Sequence, residues 1–256
     1  MTVSQPPQPR YAVYYAPPRA CALWRLAQRW LGRDCESGET LEQPLLEGWT
    51  AEDISSFTGS PRHYGFHATL KAPFRLAPGA SLRHLHDSLG AFAAGRQAFL
   101  APPLEVSAIG PFLALTLSTA SPEMESLAAA SVRDLDGLRA PPSEADLQRR
   151  LAAELSLRQE ELLRTWGYPY VLDEFRFHMT LTGPIADQGR REALRNDLQT
   201  LFRPVLADPV PVTEICLYSQ NSTEAPFTLV DRFRLAGEPA APFEKSAGGA
   251  SGATLS

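Results

Sequence analysis

The chain has 256 residues, a formal net charge of −5 and 44% hydrophobic residues, an ordinary composition for a globular protein. This length allows one large domain or two small lobes with a hydrophobic core. The negative net charge gives no support to a general nucleic-acid-coating role. The sequence also has no stretch near the roughly 20 apolar residues that a membrane span requires.

Cysteine usage and the N-terminal residues indicate a reducing compartment. Cys21, Cys35 and Cys216 form neither a disulfide framework nor a zinc motif. Residues 1–9 contain three prolines and lack the apolar run of a secretory signal. We therefore expect a cytoplasmic protein without metal or cofactor, with a disordered arm over 1–9, one domain over 10–236 and a disordered tail over 237–256.

Hydrophobic periodicity and turn residues predict a mixed series of strands and helices. In chain order the patterns predict a strand over 10–17, a helix over 19–31, a mostly irregular stretch over 33–64 with a short helix after Thr50, a strand over 65–74, a helix over 81–95, a hairpin over 104–118, helices from Ser121 to about 168, a strand over 170–182, a helix over 187–201 and strands over 210–218 and 227–235. Strands and helices alternate in both halves, so we expect an α+β fold with two related lobes, antiparallel or mixed sheets and outer helices.

One motif occurs twice. Phe-His-x-Thr-Leu-x-x-Pro is present in GFHATLKAPF, residues 65–74, and again in FRFHMTLTGPI, residues 175–185. In a strand, alternate side chains share a face, which puts each histidine and its threonine about 6–7 Å apart on one side. The predicted polar faces carry His67, Thr69 and Lys71 in the first copy and His178, Thr180 and Thr182 in the second.

Two such faces opposite one another would suit acid–base chemistry on a phosphate. One imidazole could act as base and the other as acid, because histidine has both protonation states near neutral pH. The hydroxyls of Thr69 and Thr180 could bind non-bridging phosphate oxygens, and Lys71 could oppose the growing negative charge. The expected substrate is a phosphodiester, most readily a strained cyclic one.

The sequence supports the two-histidine site better than it supports a structural role for these histidines. It also supports that site better than other kinds of catalytic site. A single histidine in a strand is usually structural or exposed, but a match of five residues across eight positions in two strand-like segments is hard to ascribe to chance. His63, His84 and His86 have no matching partner and are interpreted as surface residues. No glycine-rich phosphate loop, clustered metal ligands or Gly-x-Ser-x-Gly nucleophile motif is present in the sequence.

The two motifs, His67-Ala68-Thr69 and His178-Met179-Thr180, resemble those of the 2H phosphoesterase superfamily. The segments RYAVYYAPP, LWRLAQRWLGRD and PRHYGFHATLKAPF are similar to its bacterial branch described as phosphonate-metabolism proteins, formerly a domain of unknown function. The resemblance covers roughly residues 10–236. It implies two lobes around a cleft, each with one motif, and metal-independent hydrolysis of a cyclic phosphate on a small phosphorylated sugar, such as one from phosphonate breakdown.

Further residues near the motifs are candidates for substrate binding. Arg62 and Tyr64 precede the first motif, Tyr14 lies in the first strand, and Tyr168 precedes the second motif. For each tyrosine the alternative is ordinary packing with a surface hydroxyl. We expect a monomer whose partner is a small cyclic phosphate, with no membrane and no strong nucleic-acid preference.

Two other functions remain open at the level of sequence. The same site could open or join 2′,3′-cyclic phosphate ends of RNA or nucleotides, although RNA binding would favour a broad basic groove with stacking aromatic residues. The chain could also be a binding module for a phosphate ligand without catalysis. The sequence does not distinguish which histidine is the base.

Overall fold

The computed structural model describes residues 9–152 and 154–239. Its strands are β1 Arg10–Tyr15, β2 Ala68–Phe74, β3 Phe99–Ala101, β4 Leu104–Ile109, β5 Phe112–Leu117, β6 Met179–Thr180, β7 Val210–Val212, β8 Glu214–Gln220 and β9 Thr228–Arg234. Its helices are α1 Ala22–Leu31, α2 Ala51–Tyr64, α3 Leu82–Ala94, α4 Pro122–Asp134, α5 Glu144–Leu151, α6 Leu157–Trp166 and α7 Gln188–Leu206. The predicted arm and tail lie almost entirely outside the described residues.

The fold is α+β, as predicted, with the motifs divided between two lobes. One lobe contains a four-stranded sheet in the order β2-β1-β8-β9, and the other a three-stranded sheet in the order β4-β5-β6. Strands β3 and β7 form a separate pair. All pairs between these named strands are antiparallel, so the sheets are antiparallel rather than mixed.

The first motif is delivered by a helix that the sequence prediction underestimated. Most of 33–64 was expected to be irregular, but α2 runs for 14 residues, Ala51–Tyr64. Thr50 and Asp53 form a reciprocal capping box at its start, and Ile54 and Thr58 bury its inner face. The helix ends directly before Gly65, which leads into the motif.

The second motif is much less regular than predicted. The strand expected over 170–182 consists of Met179 and Thr180 alone, which pair with Leu115 and Ala114 of β5. A turn of 3₁₀ helix occupies Leu172–Glu174, Phe175 is extended, and residues 175–178 belong to no strand. A ladder of hydrogen bonds, and not extended backbone alone, is required for a strand, so the prediction was wrong over most of this stretch.

The two sheets share one hydrophobic core. The first-motif residues Ala68 and Leu70 and the second-motif residues Met179 and Leu181 belong to the same buried cluster. Trp30 of α1 joins it and donates from Nε1 to the carbonyl of Leu181, at 2.9 Å. This common packing fixes one lobe against the other. Within the described ranges, no helix has both the length and the apolar character needed to cross a membrane.

Candidate active site

His67 lies one residue before β2 and is oriented by a glycine turn. Its Nδ1 is 2.9 Å from the carbonyl oxygen of Gly65. Gly65 has a φ of +78°, and a Cβ added there would lie 2.7 Å from the Cβ of Cys35. Both the left-handed backbone and the close approach require glycine. The turn therefore sets the position of the carbonyl that holds the imidazole.

Tyr14 supports the other side of the His67 ring. The two rings are stacked, with centroids 3.7 Å apart and planes inclined by 19°. The cross-strand pairing of Tyr14 with Thr69 brings this about, because it places β1 directly beside the motif. The hydrogen bond and the stacked ring together restrict the imidazole to one orientation.

His178 has the same local geometry in the other lobe. It lies one residue before β6, and its Nδ1 is 2.8 Å from the carbonyl oxygen of Arg176. The buried Met179 and the pairing of Thr180 with Ala114 hold the motif on β5. The ring of Phe112 lies 6.1 Å from the imidazole, centroid to centroid.

These matching contacts determine which ring nitrogen is available in each histidine. A carbonyl oxygen only accepts hydrogen bonds, so Nδ1 of His67 and of His178 must donate. In the neutral ring the lone pair is then on Nε2. Across residues 9–152 and 154–239, no protein group hydrogen-bonds either Nε2 atom. Each Nε2 is therefore available to accept or to donate a proton.

The two motifs approach one another between the lobes. Strand β2 lies against β6, and Thr69 and His178 line the same cleft. The cleft has a volume of about 410 Å³, within the range of small-molecule sites. Thr69 of the first motif and His178 of the second therefore share one cleft, whereas His67 and Thr180 are not among its lining residues. The cleft is lined by Thr69, Ile109, Phe112, Gln159, Tyr168, Tyr170, Glu174, Phe175, Arg176 and His178.

Burial gives His67 an unusual protonation equilibrium. Loss of solvation lowers its pKa from 6.5 to about 4, and the charge of His178 acts in the same direction, while the bond to Gly65 opposes the shift. His67 is therefore neutral near physiological pH and able to accept a proton. A bound anion would shift the balance back, since a negative charge favours the protonated imidazole.

The predicted tyrosines all lie close to the site. Tyr168 lines the cleft beside His178. Tyr64 is partly exposed and stacks on Phe227, with its ring 6.4 Å from that of His67. Tyr14 is buried behind His67, where it supports the ring; burial raises its pKa well above the usual range. Only Tyr168 of the three forms part of the cleft lining.

Lys71 is not brought into the cleft. Its side chain is buried, and Nζ lies 3.0 Å from the carbonyl oxygen of Val132 and 3.2 Å from Asp136. The sequence correctly predicted that Lys71 lies in a strand, β2. However, α4 packs against β2, and the carbonyl of Val132 in α4 accepts a hydrogen bond from Lys71. Burial lowers the pKa of Lys71, and the charge of Asp136 opposes that shift. These contacts support a structural role instead of the predicted substrate contact.

Arg62 likewise has internal partners. Its guanidinium donates to the carbonyl of Leu31 at 2.6 Å and to the side chains of Gln43 and Thr58, both at 2.8 Å. It thus joins α2 to the end of α1. The structure does not place it among the cleft residues, and these contacts do not support the predicted role in substrate binding.

Aromatic residues of the cleft were missed by the sequence prediction. Phe112, Tyr170 and Phe175 line it together with Tyr168. Tyr170 follows Tyr168 in the segment WGYPYV, and the two rings meet edge to face at 5.6 Å. The second tyrosine in this short segment was a signal in the sequence that could have identified Tyr170 as a cleft residue. Phe112 follows the Gly110-Pro111 turn, where nothing local indicates that its ring faces a cleft.

Metal-binding side chains do not gather at the site. Over the described part of the chain, no three or more His, Cys, Asp or Glu side chains are grouped as a metal site. His63 is hydrogen-bonded to Gln220, and His86 to Asp231. Metal-independent chemistry remains a prediction from the sequence.

A family profile described as "Protein of unknown function (DUF1045)" matches residues 69–228, well over half of the chain. Two curated relatives are both named "Ribose 1,5-bisphosphate phosphokinase PhnN". The protein from Janthinobacterium sp. (strain Marseille) is 36% identical over 239 residues, covering 92% of this chain and 53% of the relative. The protein from Laribacter hongkongensis (strain HLHK9) is 40% identical over 176 residues, covering 69% of this chain and 40% of the relative. The chain spans about half the length of these relatives, or less.

Solved structures resemble this chain at low identity. One described as "Crystal structure of phosphoesterase" has 14% identity and a TM-score of 0.40, with 90% of this chain and 98% of the other covered. Another, of E. coli LigT complexed with 3′-AMP, has 15% identity and a TM-score of 0.38, with 90% and 99% covered.

Proposed function

We propose that this chain, which belongs to the DUF1045 family of proteins of unknown function, is a phosphoesterase that hydrolyses a cyclic phosphate on a small phosphorylated sugar. The observation that carries the proposal is the matched pair of imidazoles. Both His67 and His178 hold Nδ1 on a backbone carbonyl and leave Nε2 free, and each directly precedes one of two strands, β2 and β6, that contact one another. Histidines with purely structural roles would not be expected to repeat this arrangement in both motifs.

The proposed reaction uses the two histidines on opposite sides of phosphorus. Neutral His67 accepts a proton on Nε2 from a water whose oxygen forms the new bond to phosphorus. The bond from phosphorus to a sugar oxygen breaks, and protonated His178 donates its Nε2 proton to that oxygen. Each acid or base contributes about 10²- to 10⁴-fold in rate.

The assignment of His67 as the base follows from its depressed pKa. A base with a pKa of about 4 is weak in the empty site. The negative charge of a bound phosphodiester raises the pKa of the adjacent imidazole and so strengthens it as the substrate binds. The hydroxyls of Thr69 and Thr180 donate to the non-bridging oxygens, where charge accumulates in the transition state.

Replacing each histidine tests the proposal. With a ribose cyclic phosphate as substrate, His67→Ala and His178→Ala should each lower kcat by at least about 10²-fold. His84→Ala, at an exposed position of α3, is the matched control. Urea unfolding of all three variants separates lost chemistry from lost folding. Unchanged kcat in both motif variants would refute the two-histidine mechanism, and tight ligand binding without any wild-type turnover would favour a binding module.

The substrate class is supported by the curated relatives. Their names refer to a ribose bisphosphate, and we carry over to this chain only the phosphorylated ribose, in the context of phosphonate breakdown. The kinase reaction in those names is not carried over. A phosphate-binding loop needs Gly-Lys followed by Ser or Thr, and neither Lys71 nor Lys245 follows a glycine.

A second candidate function is supported by the aromatic lining of the cleft. Phe112, Tyr168, Tyr170 and Phe175 offer ring faces on which a nucleobase could stack. The substrate would then be a nucleoside 2′,3′-cyclic phosphate. Comparing kcat/KM for adenosine 2′,3′-cyclic phosphate with that for a ribose cyclic phosphate distinguishes the two, and a higher value for the nucleotide would favour the second candidate.

A further inference from the structure

A second concave surface, rich in arginine, lies beside the cleft. We call it the arginine cavity. Its wall contains one carboxylate side chain, Asp146, among the described residues. Its basic lining residues are Arg10, Arg75, Arg139, Arg149 and Arg150. They come from distant parts of the chain, so tertiary packing gathers positive charge here in a protein whose formal net charge is −5.

Three of these arginines have carboxylate partners. Arg75 and Arg149 both pair with Asp146, at 2.9 and 2.5 Å. Arg139 pairs with Asp136 at 2.7 Å. Each of these arginines therefore has a carboxylate within ion-pair distance, although Arg75 and Arg149 share Asp146 and Arg139 shares Asp136 with Lys71.

Arg10 and Arg150 differ from the other three. Within residues 9–152 and 154–239, neither forms an ion pair with a carboxylate. Arg10 donates to the amide oxygen of Gln220, at 2.8 Å from Nε, and its guanidinium lies over the ring of Phe227. Arg150 lies 5.1 Å from the ring centre of Tyr168. Burial lowers the pKa of Arg150, and the charges of Arg149 and Arg10 act in the same direction, while Tyr168 and Asp146 oppose the shift.

One aromatic ring, that of Tyr168, lies between Arg150 and the cleft, and two rings, those of Phe227 and Tyr64, lie between Arg10 and His67. Tyr168, beneath Arg150, lines the cleft together with His178. On the other side, Phe227, beneath Arg10, stacks on Tyr64. A small ligand in the cleft can therefore extend towards the arginine cavity along Tyr168.

We propose that the arginine cavity is a subsite for a second, terminal phosphate of the substrate, bound by Arg10 and Arg150. The inference rests on the proposed function and specifies its substrate as a sugar with a phosphomonoester in addition to the cyclic phosphate. Uncompensated, partly buried cations are unfavourable in the empty protein and favourable with an anion. Guanidinium groups suit phosphate because they donate two parallel hydrogen bonds to its oxygens.

A pair of matched substrates tests the subsite. The probes are a ribose cyclic phosphate with and without a phosphate on C5. Wild type should have a higher kcat/KM for the doubly phosphorylated compound. Arg150→Gln and Arg10→Gln should each lower that value by about 10- to 100-fold, the loss expected for a charged hydrogen bond, mainly through KM. The value for the singly phosphorylated compound should change less than about twofold.

Arg164→Gln is the charge-matched control. This arginine is exposed on α6 and pairs with Glu160 within the helix. The control should leave the preference between the two substrates unchanged. Equal kcat/KM for the two substrates in wild type, or an equal loss for both in the Arg10 and Arg150 variants, would overturn the subsite.

The two proposals fail in distinguishable ways. If the singly phosphorylated substrate is hydrolysed in a His67-dependent manner without any preference for the second phosphate, the mechanism stands and the subsite is refuted. If wild type hydrolyses neither substrate, the mechanism is refuted and the subsite is tested by binding. Calorimetric titration with ribose 5-phosphate should then show at least about 10-fold weaker binding to Arg150→Gln than to Arg164→Gln, and equal binding would refute it.

Discussion

Acidification is expected to destabilise the protein through protonation of His67. In the unfolded chain this imidazole has an ordinary pKa near 6.5, whereas burial lowers the folded-state pKa to about 4. Between these values the unfolded chain binds the proton more readily than the folded one. The stabilisation that the neutral ring provides is therefore complete above about pH 6.5 and is lost as the pH falls towards about 4.

The magnitude follows from the interval between the two pKa values. At about 1.4 kcal/mol per pH unit, the full interval gives an upper limit of about 3.5 kcal/mol. At about pH 4.5, about 2.5 kcal/mol of this should be lost relative to about pH 7.5. His67 is partly accessible to solvent, and screening lowers the expected loss to about 2 kcal/mol.

Urea unfolding at the two pH values measures this loss. His67→Phe keeps a ring that can stack on Tyr14 but removes the titrating group, and His84→Gln removes an exposed histidine as the control. The free energy of unfolding of wild type should fall by about 2 kcal/mol more than that of His67→Phe over the same pH range. An identical fall in both proteins would show that His67 is not held neutral by burial.

Three further outcomes are expected. Gly65→Ala should lower the free energy of urea unfolding by about 1–3 kcal/mol and should also lower kcat, because the new Cβ meets Cys35 and the backbone is left-handed. The control, Gly59→Ala, is exposed in the preceding helix with open space around it and should be neutral or slightly stabilising in the same urea assay. Lys71→Met should cost about 1–3 kcal/mol of unfolding free energy by removing the buried hydrogen bond to Val132 and the partly buried ion pair with Asp136, with kcat reduced less than about 10-fold. A stable variant with a much larger loss of kcat would restore the predicted contact with substrate. Excess EDTA should leave the initial rate unchanged, and strong, metal-reversible inhibition would contradict metal-independent chemistry.

Local patterns were sufficient to predict the α+β class and the two motifs. The hairpin predicted at Gly110-Pro111 is present as β4 and β5, because a turn signal between two β-rich runs is a short-range property. The repeated His-x-Thr segments likewise pointed to His67 and His178 without knowledge of the fold. The same local logic underestimated α2, because Gly59 and Pro61 lower its helix propensity while burial of its inner face stabilises it.

Distances between residues far apart in the chain were not accessible in this way. Period-two alternation assigns Lys71 to a strand face, but it cannot show that Asp136 lies opposite and takes up its charge. It also cannot show that Arg10 and Arg150 meet at one cavity, or that burial gives His67 a pKa of about 4. The candidate catalytic side chains could be predicted from short segments, because backbone geometry repeats over a few residues. Their partners, solvation and protonation arise only when packing of the two lobes removes water and brings remote segments into contact.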